Sequence, residues 1–513
     1  MDPSSFLTNF SNIDWIIVSV YILFIVTVGV LLNRYIRSTA DYMVSGRATG
    51  LALNTASYIG TELGLVTIMY ASIEGFNRGF SYLIIPLVGL VAAFTIGQTG
   101  FAVSKLRALK LTTIPEFFEK RFDKKTRVTS AIIMALAGIL NMGLFPKMGA
   151  TFLTYSTGLA ANGDATFIVN LVMTVLIILV VIYTVLGGMV AIIVCDYIQF
   201  TILSIGLLVG LYFSLSFENL NWDNIVFVFS DKMGEPAFNP FHPDSYGWSY
   251  NIWMFVVFFA TGIAWGPTAS RALTAKSPKA AQHTFLLGSP GQFIRLAIPA
   301  IFAFAAFTWF SQHPVFSGYF FPDGIADASK APQAMPLLLG KIIPAGFIGI
   351  LVAGLIAAFM STHDSYFMAW ASVISRDIIS PFKKGTISDK QEILNARITI
   401  VLIGLFLLIW GLWYELPESV WTYMAITGNI YLTGASAALI GGLYWKKASR
   451  TGAFVALLGG MISLIGIIPS VVDKISMGIL GLGNFAICFV LLVIFSLAFP
   501  DKQEKTEEHS FTK

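Results

Sequence analysis

The fold is decided by one stretch of sequence, Leu51–Phe76, which reads LALNTASYIGTELGLVTIMYASIEGF. It is apolar enough to span a bilayer, yet Glu62 lies in its middle, between Gly60 and Gly64. A carboxylate at membrane depth costs about 2.5–3.5 kcal/mol, which favours a functional role. Glycines let a helix open and free its carbonyls, so the pattern predicts a broken helix that lines a transport site. The alternative is a Glu62 that pairs with a neighbouring cation only to hold the helices together.

The composition indicates an integral membrane protein. Of the 513 residues, 56% are hydrophobic and only 12% are charged, and the mean hydropathy is +0.76. Soluble domains carry about 25% charged residues. The two cysteines, Cys195 and Cys488, lie in apolar runs far apart, which is typical of buried free thiols. The first apolar run follows acidic Asp2 and Asp14 and no basic residue, so we interpret it as a true span and not as a cleaved signal peptide.

Apolar windows of about 20 residues predict thirteen transmembrane helices in an all-α fold. A thin break at 187–189 separates the fifth span from the sixth. The predicted spans lie near 14–36, 51–73, 80–103, 128–157, 166–186, 190–214, 250–270, 283–309, 345–375, 393–414, 418–444, 452–472 and 476–499.

The basic residues predict the orientation of the chain. Of the 32 Lys and Arg, 25 fall in one set of alternating loops and the tail, and five fall in the other set. Because cytoplasmic loops carry the excess of Lys and Arg, we expect the C-terminus in the cytoplasm and the N-terminus outside. We therefore predict a multi-pass protein of the plasma (inner) membrane. The polar tail at 501–513 is expected to be disordered.

A second interrupted segment lies five spans after the first. Phe255–Arg271, FVVFFATGIAWGPTASR, is broken by Gly262, Gly266 and Pro267. Broken helices in corresponding positions of two halves are typical of transporters built from inverted repeats. Glycine and proline are also common in ordinary membrane helices, so on this evidence alone the plainer interpretation carries equal weight.

The run Gly346–Asp377 places oxygen atoms on one helix face. Ala358, Ser361 and Thr362 lie three or four residues apart, so a carbonyl and two hydroxyls can converge. Small hard cations prefer oxygen ligands, and neutral ligands suit an ion that must also leave. The carbonyls of Gly60 and Leu63 would complete a set of five oxygens. The alternative is that both hydroxyls bond back to the preceding turn of their own helix.

The chain resembles the sodium:solute symporter family, the group that includes proline, pantothenate, glucose, choline and sialic-acid carriers. Four segments carry the resemblance, in the order that the family has them, and together they extend over nearly the whole chain. They are Thr39–Arg47 (TADYMVSGR), Thr113–Phe122 (TIPEFFEKRF), Tyr183–Gln199 (YTVLGGMVAIIVCDYIQ) and Ala357–Ser365 (AAFMSTHDS).

The resemblance implies the site residues. Asp196 matches a family aspartate thought to help sodium leave towards the cytoplasm. The family's Gln-Arg pair after the second broken helix is Ser270–Arg271 here, so only the arginine is retained. The implied sodium ligands are the carbonyls of Gly60, Leu63 and Ala358 and the hydroxyls of Ser361 and Thr362.

The resemblance also implies the architecture, a LeuT-type inverted repeat of five plus five helices. One extra helix precedes the repeat and two follow it. The expected divisions are an N-terminal helix and loop (1–50), the first repeat (51–214), an outer loop (215–249), the second repeat (250–445), two C-terminal helices (446–500) and a cytoplasmic tail (501–513).

Charges inside spans bear on the solute. Lys147 could hold a substrate carboxylate, neutralise Glu62 in the empty carrier, or grip a zwitterion together with Glu62. Arg295 is interpreted as an internal counter-charge. Tyr58, Tyr70 and Trp265 could stack on a substrate, but packing is the plainer role for each aromatic residue. The expected solute contacts are Glu62, Thr67, Lys147 and Trp265.

We therefore predict a secondary active transporter that couples inward sodium movement to uptake of a small organic solute, with a carboxylate or a zwitterion favoured. The cofactor is the sodium ion, and the partners are the solute and the lipid bilayer. Neither a nucleic acid nor an obligatory protein partner is indicated, and the sequence contains no soluble catalytic module that would suggest an enzyme. The alternatives are a carrier-like solute receptor without concentrative transport and, third, a channel.

Overall fold

A computed structural model describes residues 2–32, 38–383, 388–414, 420–472 and 474–501. Within these ranges every regular element is a helix, apart from an isolated parallel bridge between Thr49 and Ala275. The predicted disorder of the tail concerns residues that lie, except for Asp501, outside the described part of the chain.

The first eleven helices begin with one long helix and then form the first broken segment. They are α1 (Asn12–Leu32), α2 (Thr39–Val44), α3 (Leu51–Glu62), α4 (Leu65–Arg78), α5 (Ile84–Thr99), α6 (Val103–Ala108), α7 (Ile114–Arg121), α8 (Lys124–Asn141), α9 (Phe145–Ser156), α10 (Ala165–Ser216) and α11 (Trp222–Met233).

The remaining helices contain the second broken segment. They are α12 (Gly247–Ala264), α13 (Gly266–Thr274), α14 (Pro278–Gln312), α15 (Pro314–Phe320), α16 (Ala331–Ile342), α17 (Phe347–Val373), α18 (Asp389–Trp413), α19 (Val420–Tyr444), α20 (Arg450–Gly459), α21 (Pro469–Val472) and α22 (Met477–Ala498).

Eleven stretches of the described chain are helical, long and apolar enough to cross a membrane. One of them is α10, which has 52 residues and would be about 78 Å long if straight, more than twice the thickness of a hydrocarbon core. Its backbone leaves helical geometry at Gly188, with φ 58° and ψ −178°, inside the break predicted between two spans. The all-helical membrane fold is confirmed, and the count of thirteen spans stays a prediction.

Both predicted helix interruptions are present. The first separates α3 from α4, where Leu63 has φ −88° and ψ 54° and Gly64 has φ −78° and ψ 156°. The second separates α12 from α13 at Trp265, which has φ −72° and ψ 125°. Pro267 lies in the first turn of α13, where its missing N–H removes no helical hydrogen bond.

The broken segments surround a central helix, α17. Nearly all of its side chains are buried, and it packs against α10, α1 and α18. The outer helices instead expose apolar side chains, for example Leu23 on α1 and Leu402 on α18. Such exposure in a chain of this composition indicates contact with lipid. A helix apolar on all sides belongs in the interior, which agrees with the position of α17.

Candidate functional site

The break between α3 and α4 lies directly against α17. A Cβ added at Gly64 would lie 2.1 Å from Thr362 Oγ1, and one added at Gly60 would lie 3.5 Å from Ser361 Oγ. The Thr362 hydroxyl also donates to the Thr61 carbonyl at 3.4 Å. The structure therefore brings together the opened backbone and the two hydroxyls that the sequence predicted to converge.

The same region supplies carbonyl oxygens. Because α3 ends at Glu62, its last carbonyls lack the amide partners that a continuous helix would give them. The predicted ligands Gly60 and Leu63 both belong to this opening, and both are buried. Ala358 lies one turn before Thr362 on α17 and is also buried.

These oxygens fit a monovalent hard cation. Neutral carbonyls and hydroxyls bind sodium without trapping it, whereas tighter divalent sites need several carboxylates. Among the described residues, no group of three or more His, Cys, Asp or Glu side chains could hold a metal ion. The chemistry of the donors therefore matches an exchangeable ion better than a resident metal.

Asp196 lies beside this region, in the second half of α10. Its Oδ1 accepts from the Ser361 hydroxyl at 2.5 Å, and its Oδ2 accepts from the Ser57 hydroxyl at 2.6 Å. The guanidinium of Arg271 pairs with the same Oδ2 at 3.2 Å, and both charged side chains are fully buried. Asp196 thus connects a predicted sodium ligand to α3 and α13.

Arg271 forms a second set of hydrogen bonds. Its Nη2 donates to the Thr61 hydroxyl at 2.5 Å and to the Ser365 hydroxyl at 2.7 Å. A buried guanidinium is tolerated when its charge is paired and most of its N–H groups are bonded. Arg271 therefore joins α3, α10, α13 and α17 around one buried charge.

The sequence reasoning did not identify Ser57, Thr61 or Ser365 as part of this network. Ser57 and Thr61 are four residues apart on α3, and Ser365 follows Ser361 by four residues on α17. This spacing puts each pair on one helix face, and it is the feature of the sequence from which the network could have been predicted.

A cavity of about 110 Å³ adjoins the break. Three of the predicted solute contacts, Glu62, Thr67 and Trp265, line it. Aromatic side chains also contribute, and the indole of Trp265 donates to the hydroxyl of Tyr366 at 3.1 Å. The cavity therefore combines aromatic faces with hydrogen-bonding groups, as sites for small organic solutes commonly do.

Glu62 forms an ion pair with Arg295, at 3.1 Å between Oε2 and Nη1. Arg295 also donates to the Glu62 carbonyl, and the Thr268 hydroxyl donates to the Glu62 carboxylate. Glu62 and Arg295 both line the cavity. Arg295 is therefore the charge partner of Glu62 in this structure and also faces the cavity.

Lys147, one of the expected solute contacts, lies apart from Glu62 in this structure. The Lys147 ammonium donates to the Tyr414 carbonyl at 2.9 Å, and Lys147 lines a different cavity, next to Ile73 and Tyr155. The physical reason is the rotation of α9: Phe145 faces the Glu62 cavity, whereas Lys147 lies two residues, or about 200°, further round the helix.

Comparison with known proteins identifies the family of the chain. A profile of the "Sodium:solute symporter family" matches residues 42–460. The chain is 24% identical over 472 residues to the sodium/sialic acid symporter SiaT of Proteus mirabilis, covering 90% of each chain. It is 23% identical over 478 residues to the sodium/glucose cotransporter of Vibrio parahaemolyticus, covering 88% of this chain and 84% of the relative.

Solved structures share the fold. A Na⁺-coupled sialic acid symporter in a substrate-bound outward-open state gives a TM-score of 0.78 at 19% identity, covering 96% of this chain and all of that one. The nucleobase-cation-symport-1 family transporter MHP1 gives 0.52 at 12% identity, covering 90% of this chain and 95% of that one. The predicted LeuT-type fold is confirmed.

Proposed function

This chain belongs to the sodium:solute symporter family, and from that premise we propose that it binds sodium between the α3–α4 break and α17. The transported solute is a small organic molecule, and the coupling ion is sodium. The proposed ligands are the carbonyls of Gly60, Leu63 and Ala358 and the hydroxyls of Ser361 and Thr362.

One observation carries this proposal: the close approach of Gly64 to Thr362. Only a glycine leaves room for the Thr362 hydroxyl at the opened backbone, since a Cβ would lie 2.1 Å from it. The approach puts two hydroxyls of α17 beside backbone carbonyls of α3, an arrangement suited to sodium. The alternative of hydroxyls bonded only within their own helix does not account for this approach.

The proposed site explains coupling. Bound sodium ties α3 and α4 to α17, which stabilises the conformation in which the adjacent solute cavity is complete. By linkage, the solute raises the affinity for sodium by the same factor. Release of sodium to the cytoplasm then weakens the solute site. Asp196 is proposed to act on the ion's side, by orienting Ser361 and by helping sodium leave.

On the solute side, we propose that Glu62, Thr67 and Trp265 contact the substrate, with Arg295 in place of Lys147. The Glu62–Arg295 pair offers one negative and one positive group in the same cavity. The carboxylate of a zwitterion can pair with Arg295 while its ammonium pairs with Glu62, so that no charge remains buried and unpaired. A simple carboxylate would have to take Arg295 from Glu62, and we therefore favour the zwitterion.

The proposal also sets the orientation and organisation of the chain. The protein lies in the plasma membrane. Its N-terminus is outside the cell and its C-terminus is in the cytoplasm, as the excess of basic residues in one set of loops indicates. A first helix lies within 1–50. The first repeat extends over 51–214 and the second over 250–445, and the outer loop 215–249 joins them. Two helices (446–500) and the tail (501–513) follow. The chain acts as a carrier and not as an enzyme.

The experiment is uptake into proteoliposomes with and without an inward sodium gradient. A thermal-shift screen of the purified protein in sodium and in potassium first selects the solute from amino acids, monocarboxylates, sugars and quaternary amines. We expect accumulation only with the sodium gradient. Binding without sodium-dependent accumulation would refute symport and favour a receptor.

A further inference from the structure

The outer end of α17 is capped by a residue from another part of the chain. α17 begins after Gly346, which has φ 86° and no side chain to cap the helix. Asp14 in the first turn of α1 takes this role: its Oδ1 accepts from Gly346 N at 2.7 Å and from Gly349 N at 2.8 Å. Free N–H groups at a helix start are stabilised by such an acceptor, and more so when it carries a negative charge.

Asp14 is itself held firmly. It is fully buried, and its Oδ2 accepts from the backbone N–H of Ser11 at 2.8 Å and from the Ser11 hydroxyl at 2.9 Å. The approach of α1 to α17 also requires a glycine, because a Cβ added at Gly349 would lie 2.6 Å from Asp14 Oδ1. The carboxylate thus has two bonds on each oxygen and no room to move.

The residues before Asp14 extend the same attachment. The Asn9 side chain donates to the carbonyls of Lys341 at 2.5 Å and Ile343 at 3.2 Å. The Lys341 ammonium donates in return to the Leu7 carbonyl at 2.9 Å. The N-terminal segment is therefore bonded to the chain just before α17 as well as to its first turn.

We propose that Asp14 is a positioning residue for sodium binding, which fixes the height and rotation of α17 relative to the α3–α4 break. The inference rests on the proposed sodium site. Ser361 lies twelve residues beyond Gly349, about 18 Å along the same rigid helix, so a shift at the cap moves the hydroxyl by a similar amount. If fewer molecules hold α17 in register, the apparent sodium affinity falls by that fraction.

The test uses sodium itself as the probe. The unfolding temperature of the purified full-length protein is measured against NaCl, with KCl holding the ionic strength constant. Bound sodium raises this temperature, and the concentration dependence gives the apparent affinity. We expect Asp14→Asn and Gly349→Ala each to raise the sodium concentration at half-effect about three- to tenfold.

A matched control is available on another helix. Asp164 caps the start of α10 by accepting from Thr166 N at 2.9 Å, and it is exposed. Asp164→Asn removes a charge from a capping aspartate in the same way but leaves α17 attached. We expect its sodium dependence to equal that of the parent.

The outcomes separate positioning from plain stability. A lower unfolding temperature without sodium, together with an unchanged sodium dependence, would overturn the inference, because Asp14 would then only hold the fold. If Asp14→Asn does not fold, Ser11→Ala replaces it in the test. This variant removes one of the two hydrogen bonds to Asp14 Oδ2, and we expect a smaller rise in the sodium concentration at half-effect. Ser361→Ala separates the two proposals: if it weakens the sodium response and the Asp14 and Ser11 variants do not, the positioning role fails and the sodium site stands. A parent protein that does not respond to sodium would refute the site itself.

Discussion

The Ser361 hydroxyl donates to the Asp196 carboxylate at 2.5 Å, and neither side chain is accessible to solvent. Because an ionised carboxylate can only accept, the hydroxyl proton points at Asp196 and the lone pairs of Ser361 remain for another partner. Asp196 is in turn paired with Arg271. The proposed sodium ligand is therefore oriented by a carboxylate whose charge is already balanced.

The first prediction concerns this buried pair. Asp196→Asn leaves the Arg271 guanidinium buried without a counter-charge, which we expect to destabilise the protein by about 3–5 kcal/mol. The measurement is the thermal unfolding of the purified variants. In the double variant Asp196→Asn/Arg271→Gln neither charge remains, and we expect it to lose less stability than the two single changes add up to. A strictly additive loss would mean that the two side chains do not interact.

A second prediction concerns the opened backbone at Gly64. Gly64→Ala puts a methyl group 2.1 Å from Thr362 Oγ1, so α17 must move away from the break. We expect the sodium concentration at half-effect on unfolding to rise at least about tenfold, or ~1.4 kcal/mol.

The control for this variant is Gly50→Ala, because Gly50 precedes α3 as Gly64 precedes α4. A Cβ added at Gly50 meets nothing within 4 Å. We expect Gly50→Ala to respond to sodium as the parent does. If Gly64→Ala also responds normally, the Thr362 hydroxyl is not needed beside the break.

A third prediction tests the charge balance of the solute cavity. Removing one member of the Glu62–Arg295 pair leaves the other charge facing the cavity. Glu62→Gln should then favour an anionic ligand and Arg295→Gln a cationic one, by about tenfold or ~1.4 kcal/mol. The measurement is the thermal shift with proline, N-acetylproline and prolinamide, which are a zwitterion, an anion and a cation with the same ring. Identical ligand preferences in both variants would show that the pair does not set selectivity.

A fourth prediction separates Lys147 from the solute site. Its ammonium donates a hydrogen bond to the Tyr414 carbonyl, and the residue lines a cavity other than the one that contains Glu62. Lys147→Met should therefore change the apparent solute affinity by less than about twofold, or ~0.4 kcal/mol. Arg295→Met, a change of the same kind inside the cavity, should weaken it. An equal loss of solute affinity in the two variants would show that Lys147 also contributes to the solute site.

The sequence was sufficient to predict the helix interruptions and the approach of the Ser361 and Thr362 side chains to the first of them. Both rest on local signals: Gly60 and Gly64 around a buried charge, and two hydroxyl residues at helical spacing on an apolar span. The break between α3 and α4 and the approach of Ser361 and Thr362 follow those signals.

The partners of buried charges could not be predicted in the same way. Glu62 and Arg295 are 233 residues apart, and their meeting depends on how α14 packs against the break. A helix that is apolar on nearly all sides does not reveal which face turns inward. Lys147 illustrates the limit, because its side chain lies on the side of α9 that does not face the Glu62 cavity.

The most direct test of the account is equilibrium binding of ²²Na⁺ to the purified protein, compared with Ser361→Ala and Thr362→Ala. Loss of one of five oxygen ligands should weaken binding about tenfold, or ~1.4 kcal/mol, with the folded state retained in both variants. We expect saturable binding in the parent and a shift of the binding curve to higher sodium concentration in each variant. Saturable binding with the same affinity in all three proteins would contradict the sodium site between α3, α4 and α17.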